Sequence, residues 1–227
     1  MESASGDQPV SAELLPMFAL ELVLLPEELL PLHIFEERYK LMIGECLAAK
    51  SRQGAGQEFG LIQAKGDQIY PVGCAARIVN VTRRYPDGRM DILTLGGRRF
   101  EVRYTDSEEP YLRCGVSFFE DELGADVAGE SDAARAIDIF RRLLRRLRNS
   151  AEMPVHFPLP YRYLSFRMAA SLPLDLDFKQ RLLSARDESQ RLGQMADLME
   201  FLLSKLDQAD EAQKKAGGNG NIPHELS

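Results

Sequence analysis

Apolar residues in the first half of the chain alternate or come in short bursts, whereas in the second half they return every three or four residues. The first pattern predicts strands and the second helices. "LLPMFALELVLLP" is apolar, but Pro16 and Pro26 exclude it from a helix interior, so it predicts one or two extended segments. At Phe35 the period changes. Phe35, Tyr39, Met42, Ile43, Cys46 and Leu47 fall at helical spacing, and "SRQGAGQ" ends that helix. Strands follow in "EFGLIQA", "VGCAARIVNVTRRY", "RMDILTL", "RRFEVRYT" and "YLRCGVSFF". "YPDGR" predicts a turn, because Pro86 presets one dihedral and Asp87-Gly88 tolerates positive φ. Gly96-Gly97 predicts a second turn. Several short strands, regular turns and one inserted helix give a small barrel or a strongly twisted sheet.

"EDELGADVAGESD" is small and acidic and predicts a linker over 121–130. Beyond it, Ala133, Ile137, Phe140, Leu144 and Leu147 form one helical stripe. "AEMPVHFPLP" breaks the pattern, a helix is expected over about 161–171, and another starts near Asp177. Asp187 with Gln190 has the spacing of a capping box. It opens a long helix carrying Leu192, Met195, Met199, Leu202 and Leu206. The expected organisation is a loose tail over 1–12, a β-rich part over 13–120, the linker, a helical part over 131–208, and a second loose tail over 209–227. The fold class is α+β.

Composition narrows the function. The chain has 227 residues and a net charge of −7, which argues against general binding to nucleic acid or anionic membrane. Its three cysteines, Cys46, Cys74 and Cys114, form no CxxC and suit a reducing cytoplasm. "MESASGDQPV" carries neither a basic start nor an apolar signal core, and no run of about 18 apolar residues predicts a membrane span. A cytoplasmic location is therefore expected. No phosphate loop, GxSxG, HExxH or GxGxxG occurs. His33, His156 and His224 lie far apart in sequence, so no metal site is expected. "RRLLRRLRN" places Arg141, Arg142, Arg145, Arg146 and Arg148 on one helix. Without interleaved aromatics, it fits a solvated face partly paired with the acidic "EDELGADVAGESD" just before it better than an RNA surface.

The order of the motifs carries a resemblance. A proline-broken apolar start is followed by "LLPLHIFEERYKLMI", "FGLI", "VGCAARI" and "YPDGRMDILTLGGRRFEV". "SFRMAASLPLDLDFKQRLLSARDESQRLGQMADLM" comes last. Over roughly residues 14–206 this resembles the N-terminal, substrate-binding domain of Lon protease, a domain shared with cereblon, and most of all the bacterial proteins that consist of this domain alone. Two positions depart from the pattern: Glu27 follows Pro26 where the family often has glycine, and Cys74 stands where it often has threonine. The resemblance implies a PUA-like β pseudobarrel with one inserted helix, followed by a C-terminal α-helical bundle. It implies a non-catalytic module without the ATPase and protease parts, needing no cofactor. Its partners would be unfolded or peptide-like protein clients, degron-bearing chains included, with a protease or chaperone as recipient. The loop and helix start after "LPL" would make the contact, so His33, Phe35, Glu36, Glu37 and Arg38 are the candidate peptide-binding residues. The competing readings are a PUA-like RNA-binding module and a small-ligand-binding protein.

Overall fold

The structure, a computed structural model, describes residues 13–53, 58–66, 68–148, 157 and 159–218. The tail expected over 1–12, His156, His224 and most of "AEMPVHFPLP" lie outside the described residues.

Strand β1 (Glu13–Leu20) pairs antiparallel with β7 (Arg113–Phe119) and parallel with β3 (Phe59–Lys65). β7 pairs with β6 (Met90–Asp106), β6 with β5 (Val72–Arg84), and β5 with β3. The pairings therefore close a ring of five strands, β1-β7-β6-β5-β3. A cluster formed by Leu15, Met17, Ile62, Ala75, Phe100, Cys114 and Val116 draws on every strand of that ring. The short β4 (Gln68–Ile69) extends β3, and β2 (Leu29–Ile34) adds to the N-terminal half of β6 outside the ring. Helix α1 (Glu37–Gln53) follows β2 and buries Tyr39, Met42, Ile43 and Cys46 of the predicted stripe, while Leu47 is half-buried and Phe35 lies before the helix, exposed.

The expected turn at Gly96-Gly97 is absent: β6 runs straight through both glycines. A Cβ at Gly96 would lie 2.0 Å from the Leu25 carbonyl oxygen, so glycine is there for close approach of a neighbouring backbone. The register against β5 also shifts between Cys74/Ala76, so the strand bends at a bulge rather than reversing. The "YPDGR" turn forms, with Gly88 at φ 85° and its N–H donating to the Tyr85 carbonyl. Glu27, where the resemblance leads to glycine, occupies positive φ, 64°. Its N–H donates to the Gly96 carbonyl and its carboxylate pairs with Arg167, contacts that hold a conformation glycine would adopt without strain.

Helices α2 (Glu130–Arg148), α3 (Leu164–Ala170), α4 (Leu176–Ser184) and α5 (Glu188–Gly218) make up the second half. Ala133, Ile137, Phe140 and Leu144 of α2 and Leu192, Met195 and Met199 of α5 are buried, as their stripes require. The Asp187 carboxylate accepts from the Gln190 N–H at the start of α5. That helix continues past Gln208 to Gly218, since no glycine or proline stands between Gln208 and Gly217. Three arginines of α2 are answered by acids, which lie on α5 and on α2 itself rather than in the acidic segment expected to pair with them. Arg146 pairs with Asp207 and Asp210 at 2.9 and 2.8 Å, Arg135 with Glu200 at 3.2 Å, and Arg142 with Asp138 at 3.9 Å.

The two halves share one continuous apolar core. They also share a buried charge cluster. Arg191 of α5 grips Asp121 with two hydrogen bonds of 2.6 Å, and Arg99 of β6 donates to the same carboxylate. Arg191 also meets Glu188 at 2.5 Å, and Glu188 accepts from the Ser165 N–H and hydroxyl at 2.8 Å each. The segment expected as a linker is thus bound to both halves. Besides Asp121, its Glu122 N–H donates to the Arg186 carbonyl and its Val127 bridges to Arg162.

Candidate functional site

The N-terminal half of β6 lies between β2 and β5, and this three-stranded part of the sheet has two different faces. Met90, Ile92 and Thr94 of β6 are buried, together with Ile34 of β2 and Ile78 of β5. Leu30 and Leu32 are half-buried against the same core. The residues between them point the other way. Their cross-strand register sets them in three rows: His33, Asp91 and Arg83; Pro31, Leu93 and Asn80; Leu29, Leu95 and Arg77. A register shift between Ile78/Asn80 keeps Asn80 in line with Leu93. Leu93 and Leu95 are only half-buried, pack against neither core cluster, and have exposed Leu29 and Pro31 beside them. This outer face is an apolar strip on β2 and β6, bordered by a polar, cationic strip on β5.

One end of the strip is aromatic and holds two of the five residues expected from the sequence. The His33 ring stacks on Phe35 and meets Tyr85 edge-on, both at 5.9 Å between centroids, and Phe35 is 59% exposed. His33 Nδ1 lies 2.5 Å from Asp91 Oδ1, and the Tyr85 hydroxyl donates to Asp91 Oδ2 at 2.9 Å. The His33 hydrogen bond first, then that of Tyr85, holds the Asp91 carboxyl below the usual carboxylate range. The guanidinium groups of Arg83 and Arg89 sit over the Tyr85 ring at 4.7 and 5.0 Å. The other three expected residues stand at the start of α1 and are engaged locally. Arg38 pairs with Glu36 at 2.8 Å and covers Tyr39, while Glu37 pairs with Lys40 at 2.8 Å. Lys40 also donates to the Asp87 carbonyl, tying α1 to the β5–β6 turn.

The same face carries Leu29, Pro31, Tyr85, Asp91, Leu93 and Leu95, which were not among the residues expected from the sequence. The signal was the alternation of "LLPLHI" and "DILTL", which puts apolar residues on both faces of each strand.

The arrangement offers contact area rather than reactive groups. Among the described residues, no group of three or more His, Cys, Asp or Glu side chains is placed to hold a metal ion. The three cysteines are buried. Burial pushes the Cys46 and Cys74 thiols up to about 12 and Cys114 to about 11, so all three stay protonated at neutral pH. No helix among the described residues is long and apolar enough to cross a membrane.

Residues 14–200 match the model of the ATP-dependent protease La (LON) substrate-binding domain. The chain is 23% identical to a Lon protease of Flavobacterium johnsoniae over 223 residues, covering 94% of this chain and 27% of that protein. A similar match, 23% over 201 residues, is to Lon protease 2 of Herpetosiphon aurantiacus, covering 86% of this chain and 24% of the relative. Among solved structures, the Lon N-terminal domain protein from Xanthomonas campestris superposes with a TM-score of 0.61 at 26% identity. It covers 81% of this chain and 96% of its own. The N-terminal domain of Mycobacterium avium complex Lon protease gives 0.58 at 17% identity, covering 83% and 98%.

Proposed function

We propose a function from one premise, that the chain belongs to the ATP-dependent protease La (LON) substrate-binding domain family: it captures unfolded or degron-bearing polypeptides on the outer face of the β2–β6–β5 sheet. The chain spans only about a quarter of the length of the curated relatives it matches, so their proteolysis is not carried over to it. In this reading it binds clients without altering them, as an adaptor or holdase that passes them to a protease or chaperone. The closed ring of strands and the α2–α5 assembly support taking the fold as a PUA-like pseudobarrel with a helical bundle.

One observation carries the proposal. Leu29, Pro31, Leu93 and Leu95 form an apolar strip that serves neither core cluster, with the aromatic end of His33, Phe35 and Tyr85 continuing it. Apolar surface gains about 25 cal/mol per Å² when a client covers it. Ordering a flexible segment costs about 1–2 kcal/mol per residue, so a short segment binds weakly and a long client needs several contacts. Glu36, Glu37 and Arg38 follow the aromatic end of the strip in sequence and place charge next to Phe35.

The test is an array of tiled peptides from unfolded proteins, probed with wild type, Leu93→Asp and Phe35→Ser, each checked for folding by circular dichroism. Wild type should select apolar and aromatic tiles. Leu93→Asp should lose them at least tenfold and Phe35→Ser severalfold. Selective binding that survives Leu93→Asp unchanged would move the site elsewhere, and absence of all binding would reject the function.

A further inference from the structure

Resting on that reading, we infer that the same face is selective for charge: it prefers apolar segments that carry a carboxylate, and Arg77 is the residue that reads it. The strip has different borders. On the β2 side its outward residues are Leu29, Pro31 and His33; on the β5 side Arg77, Asn80 and Arg83 stand in register, with exposed Val79 and Thr82 at the two register shifts between them. Adjacent strands lie about 4.8 Å apart, so a client covering Leu93 and Leu95 reaches the β5 border within one side-chain length.

The two border arginines are in different situations. Arg83 lies over the Tyr85 ring and faces Asp91 across the strands. Arg77 stands directly across from Leu95, is exposed, and has no ion-pair partner among the described residues. Asp91, the one acid in the rows, is occupied by His33 and Tyr85 at the far end. A chain with a net charge of −7 thus presents an unpaired cation beside its apolar strip. A client carboxylate over Arg77 gains an ion pair whose surroundings are partly dried by the client's own apolar residues, while a lysine there meets like charge.

The experiment uses the full chain and three peptides sharing one apolar core, flanked on one side by aspartate, serine or lysine, titrated by fluorescence anisotropy. Wild type should bind the aspartate peptide about three- to fivefold more tightly than the lysine peptide, the range of a well-placed surface pair. The gap should shrink with added salt. Arg77→Glu should reverse the order, so that the lysine peptide binds more tightly than the aspartate peptide. Equal affinities in wild type, or an order that Arg77→Glu leaves intact, would overturn the selectivity. Leu93→Asp separates the two claims. If it abolishes binding of all three peptides while their wild-type affinities are equal, the site stands and the charge selectivity falls. If it leaves all three bound, the site itself is wrong and the selectivity falls with it.

Discussion

Asp121 shows how a single residue can escape its sequence context. It stands among acids and small residues, the composition of a solvated connector, yet its side chain is fully buried between Arg99 and Arg191. Its partners lie 22 and 70 residues away, so local pattern carried no sign of them. Burial alone would raise its carboxyl, but the Arg191 hydrogen bonds and the charges of both arginines hold it below the ordinary range. Asp121→Ala leaves buried Arg99 without a carboxylate and Arg191 with Glu188 alone, and should cost about 3–5 kcal/mol in denaturant unfolding. The pH dependence has a definite sign. Because the folded value is below the unfolded one of about 3.9, this stabilisation is complete above that pH. It is lost as pH falls through the folded value. Asp121→Asn should therefore flatten the acid limb of the stability profile; an unchanged slope would remove Asp121 from it. The orientation of His33, by contrast, was legible, because strict alternation from Leu32 and Ile34 turns it outward, where it is found. Leu93 and Leu95 were not, because β6 is apolar on both faces there and periodicity alone does not say which face the core takes.

Among the elements, helices announced themselves and one strand did not. The stripes of α2 and α5 matched burial almost position by position, with Leu147 the exception: at 46% exposure it lines an apolar cleft with Leu202 and Leu206. Paired glycines read as a turn when only local preference is weighed. In β6 they serve tertiary contact instead, admitting the Leu25 backbone beside Gly96 and a bulge beside Gly97. The account predicts that Gly96→Ala destabilises the protein by roughly 1–3 kcal/mol, measured by thermal or denaturant unfolding, since the added methyl must displace backbone rather than a flexible side chain. Gly44, inside α1 with no atom near its missing Cβ, is the control: Gly44→Ala should be neutral or stabilising. Equal losses at the two positions would contradict the close-approach explanation.

At the scale of the whole molecule, the β-rich and helical parts share one core and one buried charge cluster, so the outer face of β2–β6–β5 is held on a rigid support. Arg135 and Arg146 of α2 are paired with α5, whereas the sheet face presents an apolar surface with unpaired charge beside it. Whether that face takes clients is the central claim. The most direct measurement is amide chemical-shift mapping of the full chain while an apolar, unfolded peptide is added. The account predicts perturbations centred on Leu29–Phe35, Arg77–Arg83 and Asp91–Leu95, with α2 and α5 unmoved. Perturbations confined to the cleft lined by Leu147, Leu172, Leu202 and Leu206, with the sheet face silent, would contradict it.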